Sequence, residues 1–231
     1  MQTPNLGPQL DAVVLLFLIL SWITVLLRCY VRIRIIKSFS VDDYLILITL
    51  VLFTTYAGMV FGGVHWGSGR HMEDLTLRQI ENAMKLWYIC ELFYITSTTF
   101  LRLSAGYFLL RVAICQTHRH IIHTCNIMNV LFNIGFFFYA VFQCNPIDFW
   151  WTRFDGKHAG TCSAQASADL TYAQSALSAL IDGTYGILPI FILWDLHLNT
   201  RKKILVGAIL SLAAVYVTTT SVQSLPASNS K

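Results

Sequence analysis

A single apolar stretch that contains two charged residues most constrains the fold of this chain. Residues 86–110 exceed the roughly 20 residues that a helix needs to cross a bilayer. Within them, Glu91 and Arg102 lie on nearly the same helix face but about 16 Å apart along the axis, too far to neutralise each other. Charges inside a membrane span usually face a bundle interior or a water-filled cavity. We therefore predict that this stretch is the inner wall of a helical membrane bundle and that each charge has a partner on another helix.

The composition agrees with a membrane protein. Of the 231 residues, 55% are hydrophobic and 12% are charged, whereas soluble domains contain roughly 25% charged residues. The net charge of +4 comes from short basic clusters between apolar runs, which indicate membrane topology and not a nucleic-acid-binding surface. The length fits one compact helical bundle without a second soluble domain.

Apolar runs along the chain predict an all-α, polytopic transmembrane bundle with six spans. A short tail occupies residues 1–11, the transmembrane domain residues 12–222, and a polar tail residues 223–231. The first run lacks a basic region before it and a cleavage site after it, so we interpret it as a retained helix and not a signal peptide. The predicted spans cover residues 12–31, 44–64, 86–110, 124–143, 172–194 and 204–222.

Basic residues are more numerous in alternate connections, and this contrast predicts the orientation. The connections after the first, third and fifth spans contain four, two and three Lys or Arg, counting Arg28 and Arg111 at the helix ends. Those after the second and fourth spans contain three and two, and the N-terminal tail contains none. Because short basic connections stay in the cytoplasm, we expect a multi-pass protein whose N-terminus is exterior or lumenal. Its partner is the lipid bilayer of the plasma membrane or an endomembrane. The connection between spans two and three is expected to contain a short amphipathic helix at residues 75–84.

The cysteines allow two disulfide arrangements. Cys144 and Cys162 share one predicted exterior loop, and Cys90 lies just inside the outer end of the third span. Disulfides form in the oxidising exterior or secretory lumen. A Cys144–Cys162 bridge would close the loop around Trp150 and Trp151, whereas Cys90 would link the third span to that loop. We favour the first arrangement, although spacing alone leaves the connectivity open.

Arg102 and Asp182 are the sharpest candidates for a functional pair within the membrane. Counted from the cytoplasmic ends of their helices, they lie about 12 Å and 18 Å deep, and the long Arg side chain can cover the difference. An ion pair would neutralise two costly charges. It would either be a static structural pair or respond to a ligand or a proton.

Asp42 and Asp43, at the start of the second span, form a second candidate at the cytoplasmic face. They are expected to pair with Arg111 or Arg102. The alternative is helix capping, in which the acids interact with the helix dipole, an effect worth about 0.3–1 kcal/mol.

A glycine-rich segment of the second connection contains Gly67, Gly69, Arg70 and His71. Glycine adopts backbone conformations that other residues avoid, so this exterior segment is either a binding loop or a tight turn. It follows no strand, which argues against a dinucleotide-binding loop.

Metal binding and enzymatic chemistry are not expected. His118, His120 and His123 match no zinc-binding spacing, and we interpret them as part of a basic loop at the membrane surface. The chain has no HExxH motif and no well-placed Ser/His or Cys/His pair, so we do not predict an enzyme.

A series of short segments occurs in order along residues 28–212. They are residues 42–45, 67–71, 102–104, 107–111, 144–146 with Trp150 and Trp151, 160–162, Asp182, Pro189, 194–196 and 201–203. Together they resemble the fungal rhodopsin domain family of integral membrane proteins, which usually has Lys at the position of Arg102. The family includes receptor-like proteins linked to surface sensing and membrane proteins encoded in gene clusters for toxins of the satratoxin type.

The resemblance implies a seven-helix plan, of which six spans are predicted here. It also implies a receptor-like or accessory role in sensing or in secondary-metabolite (mycotoxin) production, with a small-molecule ligand and a cytoplasmic signalling partner. Covalent retinal is not expected, because a Schiff base needs a lysine and every lysine lies outside the predicted spans. No other cofactor is expected.

Two alternative functions follow from the same residues. One is a small-molecule transporter with Arg102, Asp182 and Glu91 along a polar path, although the chain shows no internal repeat. The other is an inactive, truncated family member that lacks the seventh helix.

Overall fold

Five long helices dominate the computed structural model, which describes residues 6–71, 74–155 and 159–195. A four-residue helix, α5 (Phe149–Thr152), lies in the connection between α4 and α6. The long helices are α1 (Gly7–Tyr30), α2 (Val41–His65), α3 (Leu77–Val112), α4 (Gln116–Phe142) and α6 (Ala164–Asp195). The predicted all-α bundle is therefore confirmed. The predicted sixth span at 204–222, the basic segment 201–203 and the tail at 223–231 lie outside the described residues.

Within the described part of the chain, four helical segments are long and apolar enough to cross a membrane. They are Gly7–Ile36, Val41–His65, Gln116–Phe142 and Ser167–Ile192. Large apolar side chains on them are exposed, such as Leu27 at 62% and Leu131 at 64%, which suits contact with lipid. This finding supports a membrane protein.

The longest helix, α3, is not among these four, since its charged and hydroxyl side chains reduce its mean hydropathy. It nevertheless contacts α2, α4, α5 and α6. Its buried residues include Tyr88 and Cys90 near one end and Ser104 and Leu109 near the other. The stretch that the sequence identifies as an inner wall therefore lies in a helix that has neighbours on several sides.

The predicted separate helix at residues 75–84 is wrong, because α3 begins at Leu77 and continues through it. Thr76 and Gln79 form a capping box at its start, and the Gln79 side chain accepts a hydrogen bond from the Thr76 backbone N–H at 3.0 Å. Neither Gly nor Pro interrupts the following residues before Gly106. Nothing in the sequence therefore ends a helix between the amphipathic segment and the apolar one.

Other helix boundaries also extend beyond the apolar runs. Helix α1 begins at Gly7, within the predicted tail, and α6 begins at Ala164, within the predicted fourth-to-fifth loop. Helix α4 begins at Gln116, so the predicted histidine-containing loop is mostly helical. Hydropathy marks the part of a helix that crosses hydrocarbon, whereas a helix continues wherever its backbone hydrogen bonds remain favourable.

The end of α1 has an unusual backbone. Residues Val31–Ile36 form a π-helical segment, and Lys37 follows with a φ of +53°, in the left-handed region. This segment turns the chain into α2 within four residues and carries Arg32 to a buried position beside the start of α2. We call this end of the bundle the basic end; it also contains the end of α3 and the start of α4.

The opposite end, which we call the disulfide end, contains the connection between α4 and α6. Strands β1 (Cys144–Asn145) and β2 (Thr161–Cys162) pair antiparallel, and a disulfide joins Cys144 to Cys162. The favoured connectivity is confirmed, and Cys90 is buried outside any disulfide. Helix α5 places its tryptophans on α3: the Trp150 ring stacks on Trp87 with ring centres 6.1 Å apart.

Removing the disulfide is expected to destabilise the protein. The bridge joins residues 18 positions apart, so its loss increases the entropy of the unfolded chain and lowers the free energy of unfolding by about 3 kcal/mol. The Cys144→Ser/Cys162→Ser variant should therefore have a lower Tm in detergent, whereas Cys115→Ser, at an exposed cysteine outside the bridge, should not. Alkylation of all six cysteines in denatured, unreduced protein would contradict the bridge.

Candidate functional site

Charged and amide side chains occupy the bundle interior at three successive levels of α3. The first level is the basic-end cluster, formed by Arg28, Arg32, Asp42 and Asp43. The second is the central pair, Arg102 and Asp182. The third is a cavity around Glu91, nearer to the disulfide end.

The basic-end cluster is a crossed set of ion pairs between two helices. Asp42 and Asp43 lie in the first turn of α2 and are 2% and 0% exposed. Arg28 lies 2.6 Å from Asp42 and 3.0 Å from Asp43, and Arg32 lies 3.3 Å and 3.4 Å from the same carboxylates. Each buried carboxylate therefore has two guanidinium partners, which offsets the cost of removing it from water.

The expected partners of these acids are not the observed ones. Arg111 lies at the same end but donates to the hydroxyl of Ser38 at 3.3 Å, and Arg102 pairs elsewhere. The short turn after the π-helical segment folds the end of α1 back onto the start of α2, so Arg28 and Arg32 reach the acids. Asp43 also accepts a hydrogen bond from the Ser40 backbone N–H at 3.1 Å, so it caps α2 as well as forming ion pairs.

Helix α3 is joined to this cluster. The Ser104 hydroxyl donates to the backbone carbonyl of Asp42 at 2.8 Å, and Ser104 is 2% exposed. The Arg28 guanidinium lies 5.3 Å from the centre of the Phe108 ring, within the range of a cation–π interaction. The cluster therefore connects α1, α2 and α3.

The central pair links α3 to α6. Arg102 donates to both oxygens of Asp182, from Nε at 2.8 Å and from Nη2 at 2.9 Å. This is the pair that the sequence predicts, in the bidentate geometry that gives an arginine–carboxylate contact its strength. One turn further along α6, the Tyr185 hydroxyl donates to Asn126 Oδ1 of α4 at 2.8 Å.

Three asparagines on α4 form an interior contact that the sequence analysis missed. Asn126, Asn129 and Asn133 follow an i, i+3, i+7 spacing, which places them on one helix face, and all three are buried. Asn133 donates to Asn129, and Gln174 of α6 donates to Asn133 Oδ1 at 2.9 Å. Amides at this spacing within an apolar helix are a sequence signal that would have predicted an interhelical hydrogen-bond network.

Gly106 makes room for this network on the α3 side. A Cβ atom at this position would lie 2.4 Å from Asn126 Oδ1, so any other residue here would force the Asn126 side chain to move. The observed position of Asn126 therefore depends on this glycine.

Glu91 lacks the cationic partner that its position predicts. No Lys, Arg or His of the described ranges lies within salt-bridge distance of it; its neighbour is the Gln143 side chain at the end of α4. It lines a cavity of about 540 Å³ together with the aromatic rings of Tyr56, Trp87 and Tyr94. A carboxylate and three aromatic rings thus surround a space large enough for a small molecule.

A second cavity continues along the same helices. It has a volume of about 430 Å³ and lies among α1, α2 and α3. It shares Tyr56 and Tyr94 with the Glu91 cavity and reaches Leu101, the residue before Arg102. Together the two cavities lie along α3 from the disulfide end to the level of the central pair.

The glycine-rich segment has the geometry of a tight turn. Gly67 and Gly69 have φ angles of +107° and +93°, and the Gly69 carbonyl accepts a hydrogen bond from the Leu6 N–H at 3.1 Å. The turn therefore holds the start of α1 against the α2–α3 connection. Arg70 and His71 are exposed, and ligand binding by them stays a prediction.

The three histidines lie in the first two turns of α4 and line neither cavity. Within residues 6–71, 74–155 and 159–195, no group of three or more His, Cys, Asp or Glu side chains could hold a metal ion.

Comparison with known families identifies one match. The profile of the fungal rhodopsin domain family matches residues 27–230, nearly the whole chain. Searches of curated proteins and of solved structures found no match.

Asp43→Asn is expected to destabilise the protein without removing the cap. Asparagine retains an oxygen that can accept from Ser40, but the two arginines then share one carboxylate, at a cost of about 2–4 kcal/mol. The Tm in detergent should fall. Asp148→Asn, at an exposed carboxylate of the disulfide end, is the control, and equal Tm values for both variants would contradict the cluster's structural role.

The central pair should behave as a coupled unit. Asp182→Asn leaves Arg102 without its carboxylate and is expected to lower the free energy of unfolding by about 1–3 kcal/mol, since both side chains are only partly exposed. The Arg102→Leu/Asp182→Asn variant should recover much of that loss, because it removes the unpaired charge. Additive effects of the two single changes on Tm would exclude coupling.

Proposed function

Because the chain belongs to the fungal rhodopsin domain family, we propose that it is a multi-pass, receptor-like membrane protein that senses a small molecule. The observation that carries the proposal is the pair of neighbouring cavities lined by Tyr56 and Tyr94. They extend along α3 from Trp87 to Leu101, about 21 Å at the rise of an α-helix. The proposed ligand is therefore small, mainly apolar, and in contact with the Glu91 carboxyl group.

The side chains at the two ends of the bundle support a transmembrane placement. Trp87, Trp150 and Trp151 lie at the disulfide end, where tryptophans are favoured at a membrane interface, and the arginines lie at the other end. Along α3, Trp87 and Arg111 are separated by about 36 Å, slightly more than a hydrocarbon core of about 30 Å.

The chemistry of each end supports an orientation. Disulfides form in the exterior or the secretory lumen, and basic connections favour the cytoplasm. In the proposed orientation the basic end is cytoplasmic. The start of α1, which is held by Gly69 near the disulfide end, is exterior or lumenal, in the plasma membrane or an endomembrane.

The same three helices line the cavities and form the basic-end cluster, which suggests how binding would reach the cytoplasm. A ligand that favours one packing of α1, α2 and α3 shifts the population of arrangements available to the cluster. The Ser104–Asp42 hydrogen bond is the connection on the α3 side. A signalling partner at the cytoplasmic face would detect that change.

The proposed binding is noncovalent and involves no enzymatic reaction. No lysine from the described part of the chain lines either cavity, so no Schiff base with retinal is included in the proposal. An accessory role in secondary-metabolite production fits the same architecture, with the sensed molecule coming from that metabolism.

A small-molecule transporter is the second candidate. The observation that favours it is a row of polar side chains in the interior, which is formed by the central pair, the α4 asparagines and Gln174. Most of these groups are hydrogen-bonded to one another, which is also how interhelical contacts are stabilised in membranes. The receptor-like proposal therefore ranks first.

Small-molecule profiles of a deletion strain test both proposals. The strain would be complemented with the wild-type chain, with Glu91→Gln, or with Glu81→Gln, a matched control on α3 outside both cavities. For a receptor, a class of compounds should fall in cells and medium together, and Glu91→Gln should resemble the deletion whereas Glu81→Gln restores the profile.

Three other results would contradict the receptor-like proposal, and each has a different meaning. Accumulation inside cells with loss from the medium would indicate a transporter. Full restoration by Glu91→Gln at wild-type protein levels would exclude a role for the carboxyl group, and an unchanged profile in the deletion strain would exclude both functions under the conditions used.

A further inference from the structure

We propose that a groove at the basic end binds the headgroup of an anionic phospholipid. The groove lies between the end of α1 and the end of α3 and has a volume of about 790 Å³. Its lining combines cationic and apolar side chains. The cationic ones are Arg28, Arg32 and Arg111, and the apolar ones are Leu27, Val31, Ile36, Phe108 and Val112.

The arginines of the groove differ in whether they form ion pairs with acidic residues. Arg28 and Arg32 are held by Asp42 and Asp43 in the basic-end cluster. Arg111 is exposed, and its hydrogen bond to the neutral Ser38 hydroxyl, at 3.3 Å, leaves most of its donors available. The groove therefore presents one guanidinium whose charge is not balanced by a carboxylate of the described residues.

Further positive charge surrounds the groove. Arg34 and Lys37 belong to the π-helical segment and the left-handed turn that follows it, and both are exposed. Neither lies within salt-bridge distance of an acid in the described ranges. Together with Arg111 they add three positive charges around the groove to the neutral cluster.

This combination matches a phospholipid better than a soluble anion. A guanidinium binds phosphate oxygens through paired N–H donors, and the charges nearby attract the anionic lipids of a cytoplasmic leaflet. The apolar side chains belong to helices that continue toward the hydrocarbon core, so they can contact the first methylenes of the acyl chains. A soluble phosphate would use the charges but leave these apolar walls exposed to water.

The inference rests on the proposed cytoplasmic placement of the basic end but not on small-molecule sensing. It would hold equally for a receptor or a transporter, and failure of the metabolite experiment would leave it standing. It predicts a lipid that stays with the protein at the α1–α3 junction, next to the cluster that links α1, α2 and α3.

The test uses the purified full chain in a nonionic detergent. Binding of fluorescent dioctanoyl phosphatidylinositol 4-phosphate is measured by polarisation, with dioctanoyl phosphatidylserine, dioctanoyl phosphatidylcholine and inositol phosphate as competitors. Both anionic lipids should compete, whereas phosphatidylcholine and inositol phosphate should compete much more weakly. Arg111→Gln should weaken binding about fivefold, the effect of one basic residue near an anionic surface.

Matched variants separate the groove from general charge effects. Arg78→Gln makes the same change at an exposed residue at the other end of α3 and should bind like the wild type. Arg111→Lys keeps the charge and should retain most of the affinity. If Arg111→Gln does not fold, Lys37→Gln, at an exposed turn residue, tests the same charge excess.

Three results would overturn the inference. Equal competition by phosphatidylcholine would show that charge is not recognised. Equal competition by inositol phosphate would identify a site for a soluble phosphate and not for a lipid. Unchanged affinity in Arg111→Gln would place any lipid elsewhere on the protein.

Discussion

Two carboxylates buried at the start of α2 require compensation, and the basic end is organised around that requirement. Asp42 and Asp43 have almost no contact with solvent, so each unpaired charge would cost several kcal/mol. Their partners come from the preceding helix because the π-helical segment and the left-handed Lys37 fold the chain back at once. The hydrogen bond from Ser104 then attaches α3 to the same point. The cluster is thus the common junction of three helices.

The three levels of α3 handle buried charge in three ways. At the basic end each acid has two cations, at the centre Arg102 and Asp182 form one bidentate pair, and Glu91 has the neutral Gln143 as its neighbour. The number of cationic partners of each buried acid therefore decreases from the basic end toward the disulfide end. The level with the least compensation lines a cavity of about 540 Å³, which is consistent with a role in binding and not in holding helices together.

The sequence supports the main architecture because charge within an apolar run is a strong constraint. Glu91 and Arg102 identify α3 as an interior helix, and the depth of Asp182 identifies the partner of Arg102. The partners of Asp42 were missed because the arginines after the first apolar run were interpreted only as markers of membrane topology. The asparagines of α4 were missed because only charged residues within the apolar runs were considered, and amides carry no charge. Helix limits were too short, since hydropathy reports the hydrocarbon-facing part alone.

Helix α1 is attached at both ends and lightly covered between them. Its start is held by the Leu6–Gly69 hydrogen bond and its end by Arg28 in the basic-end cluster, while only 6% of its most apolar stretch is buried. Helix α1 is therefore held at its two ends and passes over the two cavities between them. A force on the middle of a helix held in this way bends the helix and is transmitted to the contacts at its ends. In the proposed function, α1 is therefore the element that would transmit occupancy of the cavities to the basic-end cluster.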